Sequence, residues 1–174
     1  MGRASAELPL LVCVGPPLPV AFQMLLGTDE PTLIEQAITV YRERFERIGM
    51  FENSLFPGVI EALTAMRRKG HRMRIVTAKP QPYATKILQH FRIDMLFEAV
   101  HGPMLEDRTH DKVALVAAAV RDSGSSDVVM IGDRGEDIRA ANVNGIQSIA
   151  VRWGYGSEAE LYGRRAHSLC AHDG

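Results

Sequence analysis

Asp133 and Asp137 stand four residues apart in Gly132-Asp133-Arg134-Gly135-Glu136-Asp137, directly after the apolar run Val128 to Ile131. Two carboxylates delivered at the carboxyl end of a short buried strand suit a hard cation. A Mg2+ ion wants few protein carboxylates, several waters and substrate phosphate oxygens, which fits an open sheet edge. Gly132, just before the first acid, permits close backbone approach by a ligand. The same pair also has a purely structural reading, as solvated acids at a helix start that favour its dipole and cap exposed amides.

Three further positions extend the pattern. Thr77 ends the run 72–77, so its hydroxyl and the amides after it, beginning with Ala78, are directed toward the same crevice and suit a phosphate oxygen. A threonine there also simply helps a turn. Lys79 reaches either a ligand or solvent. Lys112 opens a helical segment, where the dipole repels a cation, which hints at a nearby anion.

These residues need a scaffold that brings strand ends together. From Pro57 onward helix and strand patterns alternate: a helix over 59–69 with Val59, Ile60, Leu63 and Met66 on one stripe and Gly70 as its stop, then a strand over 72–77. Next come a helix over 82–91, a short strand at 99–101, a helix over 111–121 ended by Gly124, and a strand over 128–131. A helix over 136–144, closed by Gly145, and a strand over 147–151 complete the series. Such alternation predicts an α/β fold, a doubly wound parallel sheet with helices on both faces. The stretch 16–50 differs, since 20–26 and 32–48 both read as helices with no strand between them. The expected organisation is an N-terminal segment 1–15, a helical subdomain 16–50, an α/β core 51–163 and a frayed tail 164–174.

Composition narrows the function classes. With 174 residues, 46% hydrophobic and 24% charged, the chain reads as an ordinary globular protein with one main core. A formal net charge of -1 gives no electrostatic case for nucleic acid or an anionic membrane. The apolar run 8–14 is far too short to span a bilayer. Cys13 and Cys170 lack metal-ligand spacing and read as reduced thiols, so a cytoplasmic location is expected.

In this order and setting, Thr77, Lys112 and Asp133/Asp137 resemble the haloacid dehalogenase superfamily of phosphotransferases, in its phosphoglycolate phosphatase-like and 5'-nucleotidase-like branch. Ile75-Val76-Thr77-Ala78-Lys79-Pro80 resembles the second family motif, Lys112 the lysine of the third, and Met130 to Ile138 the fourth. Gly15-Pro16-Pro17-Leu18, Phe56-Pro57-Gly58-Val59 and Val151-Arg152-Trp153-Gly154-Tyr155-Gly156 look like the same branch. The resemblance implies Mg2+-dependent hydrolysis of a small phosphorylated substrate. It also implies roles: Asp133 and Asp137 for metal, Thr77 for phosphoryl contact, Lys112 for charge balance, and Ala78 and Lys79 on the phosphate side. On the same resemblance, 16–50 is the later part of a helical cap. There Arg42 or Arg44 is offered to the substrate, against the plainer alternative of a solvated helix face.

One family element is missing. The first motif, an apolar strand ending Asp-x-Asp-Gly-Thr whose first acid attacks phosphorus, occurs nowhere in the chain, whose first acid is Glu7 and first aspartate Asp29. The polypeptide as given is therefore expected to be inactive or very weak as a phosphatase. The family fold places that strand between those ending at Thr77 and Ile131, so its loss leaves unpaired backbone groups and favours self-association. The run Leu8 to Val14 is either a substitute for that strand or a remnant of the cap region. Three origins fit: a fragment or mis-assigned start of a working phosphatase, a non-catalytic relative that binds phosphate ligands or a protein, and a chain completed by a partner's strand.

Overall fold

The computed structural model describes residues 16–107, 111–163 and 166–170. The run Leu8 to Val14, and with it the expected N-terminal segment 1–15, lies outside them. The chain forms two compact units that divide between Leu55 and Phe56.

The first unit is helical. Helix α1 (Leu18–Leu26) ends at Gly27, whose φ of 62° is the left-handed conformation that closes a helix without side-chain strain. Helix α2 (Pro31–Arg47) starts with proline in its first turn, and the Glu30 carboxylate accepts from the amides of Thr32 and Leu33. Phe22 meets Tyr41 edge-on at 6.0 Å, Tyr41 stacks on Phe45 at 5.5 Å, and Ile34, Ile38 and Met50 are buried. A 3-10 turn over Gly49–Phe51 follows α2.

The second unit is α/β. Its elements are α3 (Val59–Arg68), β1 (Arg74–Val76), α4 (Gln81–His90), β2 (Ala99–His101), α5 (Lys112–Ser123), β3 (Val129–Gly132), α6 (Gly135–Val143), β4 (Gln147–Val151), α7 (Glu158–Gly163) and β5 (Ser168–Cys170). Every strand pair is parallel. β1 pairs with β2, matching Val76 to His101, while β4 lies between β3 and β5, matching Ile131 to Ile149 and Ala150 to Leu169. Among the described strands, β1 and β3 each have one neighbour only, so each is terminal in its sheet.

Helices α5 and α6 bind these two sheets into one body. Val116, Ala140, Ala141 and Ile146 form a buried cluster that takes Val76 from β1 and Met130 from β3 against it. A second cluster, Ile138, Ala150 and Leu161, seats α7 on α6 and β4. On the other face of β3 the alternation leaves Val129 and Ile131 42% and 49% exposed, a high figure for aliphatic side chains of a strand in an α/β body.

Two features differ from the sequence expectation. The tail 164–174, expected to fray, contributes β5, whose Ser168–Cys170 backbone pairs with β4. Helix α7 was not anticipated, because within six residues only Leu161 is buried and no amphipathic period can develop.

Candidate phosphate and metal site

Asp111 caps α5 by accepting from the Val113 amide at 2.9 Å, which makes Lys112 the first residue of the helix. Because α5 crosses back over the sheet from β2 toward β3, its start lies at the strands' carboxyl ends. There the Lys112 ammonium donates to the Val76 carbonyl at 2.9 Å and sits 2.9 Å from Oδ1 of Asp137. Both side chains of this ion pair are largely buried. The pair therefore ties the end of β1, one peptide from Thr77, to the first turn of α6.

Asp137 is held from a second side. Its Oδ2 accepts from the Arg134 amide at 3.2 Å, a capping bond at the start of α6. Gly132 allows this, since a Cβ there would collide with the Asp137 carboxylate. Asp137 thus caps the helix as the structural reading expects, but it is buried and paired with Lys112 rather than solvated.

Asp133 is gripped by the loop after β4. Tyr155 donates its amide to Oδ2 of Asp133 at 2.7 Å. Gly154 lies so close to the Asp133 carboxylate, and Gly156 to its carbonyl oxygen, that a side chain at either position would overlap it. In sequence this loop carried only a family likeness. Its tie to Asp133 runs through a backbone amide, which a pattern of side chains does not display; two glycines one residue apart after a strand were the available signal.

On the β1 side, the Thr77 amide continues the pairing by donating to His101 O at 2.9 Å, and the Thr77 hydroxyl accepts from the Lys79 amide at 3.1 Å. Ala78 lies between them. Lys79 is exposed as a residue, yet protein around its ammonium excludes enough water to hold its pKa below the ordinary lysine value. Arg44, in the helical unit, makes a bidentate pair with Glu52 at 2.7 and 2.9 Å on an exposed face. That pairing matches the plainer fate foreseen for it.

The structure thus brings Lys112 to Asp137 directly, and brings Thr77 to Lys112 through the Val76 carbonyl. Asp133 follows β3 without touching the lysine. Among the described residues no group of three His, Cys, Asp or Glu side chains is gathered. The available donors are two carboxylates, hard oxygen ligands that suit Mg2+ completed by water and phosphate better than a closed nitrogen and sulfur site for Zn2+.

The chain belongs to the haloacid dehalogenase-like hydrolase family, whose model matches residues 5–151. It is 37% identical over 160 residues to a 5'-nucleotidase of Pseudomonas aeruginosa, covering 91% of this chain and 72% of that protein. It is 33% identical over 161 residues to tyrosine-protein kinase PtkA of Mycobacterium tuberculosis, covering 91% of this chain but only 54% of the kinase. Other relatives, at 30% identity for that of Colwellia psychrerythraea, are phosphoglycolate phosphatases; the chain spans 61% of that one. Among solved structures, a predicted phosphatase from Clostridium acetobutylicum superposes with a TM-score of 0.82 at 34% identity, over 92% of this chain and 74% of that one. The α/β fold with parallel strands is that of the family. Among the described residues no helix is long and apolar enough to cross a membrane.

Proposed function

We propose that the crevice at the carboxyl ends of β1 and β3 binds a Mg2+ ion through Asp133 and Asp137 and the phosphoryl group of a small phosphate monoester, phosphoglycolate-like or nucleotide-like. Thr77, the Ala78 amide and Lys79 receive the phosphoryl oxygens from the β1 side. Lys112 balances the negative charge gathered between them. The observation that carries this reading is the Lys112 ammonium, buried between Val76 O and Asp137 where two strand ends meet. A cation placed against the helix dipole and out of water needs anionic company. Bound Mg2+ would supply Lewis-acid polarisation of a phosphoryl oxygen.

In a full-length or ancestral protein carrying the Asp-x-Asp-Gly-Thr strand, this site performs Mg2+-dependent hydrolysis of the monoester. The polypeptide as given has no acid in that motif context, so an aspartyl-phosphate cannot form on it. Its own activity is ligand binding without turnover, in the cytoplasm. The alternative, a non-catalytic relative that binds a phosphate ligand or a protein, uses the same residues and differs only in the absence of any hydrolysing form.

The experiment is a calorimetric titration of inorganic phosphate in Mg2+, beside an assay of phosphate release from p-nitrophenyl phosphate and AMP. Binding without release is expected, and Asp133→Asn should remove the Mg2+ dependence. Turnover abolished by Asp133→Asn would reveal a nucleophile that this reading denies; no phosphate binding would refute the site.

A further inference from the structure

Glu160 lies outside the motifs that carry the family resemblance, yet it meets the segment between the two aspartates. Its Oε1 accepts from the Gly135 amide at 2.6 Å, the first residue of α6, and sits 3.3 Å from Nε of Arg134. Two contacts enforce this placement. Leu161 is 1% exposed within the cluster with Ile138 and Ala150, and the Glu160 amide donates to the Ser157 hydroxyl at 3.2 Å. A half-buried carboxylate thus reaches across from one element to cap another.

The consequence concerns Arg134. It directly follows Asp133, and its amide serves Asp137, which is already paired with Lys112, so its side chain springs from beside Asp133. A guanidinium forks readily onto carboxylates, where it competes with a divalent ion. The Glu160 carboxylate holds that guanidinium on the α7 side and occupies the positive end of α6.

Resting on the metal reading of Asp133 and Asp137, we infer that Glu160 is a positioning residue for the cation site, which keeps Asp133 available by restraining Arg134 and fixes the start of α6, which carries Asp137, through its first amide. It touches neither ion nor substrate. It acts through the loop, as outer partners of metal ligands do.

The test is titration of Mn2+ followed by the EPR signal of the free ion, with Mg2+ as competitor and thermal melts of each variant as a fold control. Glu160→Ala is expected to weaken Mn2+ binding about 10-fold. Adding Arg134→Ala should restore it to near wild type, a recovery that a merely structural role would not produce. Glu160→Gln keeps an acceptor for Gly135 but not the charge for Arg134, so it should shift in the same direction and recover with the same second change. Unaltered affinity in Glu160→Gln, or losses that Arg134→Ala leaves in place, would overturn the inference while leaving the metal site standing. Wild-type Mn2+ binding that is absent, or indifferent to Asp133→Asn, would overturn both.

Discussion

Lys112 and Asp137 form a largely buried ion pair at 2.9 Å, with the lysine also spanning to the carbonyl that ends β1. One side chain from α5 thereby fastens the end of β1 to the first turn of α6, the helix that follows β3. Replacing the lysine by methionine leaves an uncompensated carboxylate in a poorly hydrated place and is expected to cost about 3 kcal/mol. Asp137→Asn strands the Lys112 ammonium in the same place and should cost a similar amount. Urea unfolding of the two variants measures both costs, and negligible costs would count against a buried pair.

Gly132 and Gly156 separate the two aspartates experimentally. A Cβ at Gly132 meets both the Cβ and the carboxylate of Asp137, so the first turn of α6 must give way, while one at Gly156 meets backbone at Asp133. Each substitution should therefore lower cation affinity, with an unfolding cost of about 1–3 kcal/mol typical of overpacking. Chemical denaturation and Mn2+ titration of each variant provide the check.

Lys79 predicts a dependence on pH. Burial lowers its pKa in the folded state, so the unfolded chain binds more protons between the folded and unfolded values. The penalty is fully present at neutral pH and is relieved as pH rises through the lowered pKa toward that of free lysine. Lys79→Met should flatten that alkaline rise in the melting temperature. A variant with the wild-type profile would contradict the assignment.

Strand β3 predicts association. Val129 and Ile131 point away from the core that Met130 enters, and both are exposed aliphatic side chains on one face of the strand. Neighbouring exposed aliphatic side chains favour contact with another protein surface. Light scattering after size exclusion should show concentration-dependent association that Ile131→Lys reduces; an unchanged profile would assign it to another surface.

Much of the fold was legible because its signals are local. Asp111 and Gly124 bracket α5 as cap and stop, the latter at φ 63°, and the alternating run Gln147–Val151 is the observed β4 without adjustment. β5 is not legible in the sequence, since all of its residues are exposed and carry no apolar alternation. The site residues were readable as types, but their pairing was not. That Lys112 meets Asp137 depends on where α5 crosses the sheet. Tyr155 contributes a main-chain amide, and Glu160 reads in sequence as one more surface acid. Such contacts arise between distant segments and leave no periodic trace.

The most direct test of a shared pocket for cation and phosphate is the 31P relaxation of inorganic phosphate in the presence of Mn2+. Wild type should enhance relaxation well beyond Mn2+ alone, Asp133→Asn should abolish the enhancement, and Lys112→Met should diminish it in folded protein. An enhancement indifferent to both substitutions would show that metal and phosphate meet elsewhere, and the account would be wrong.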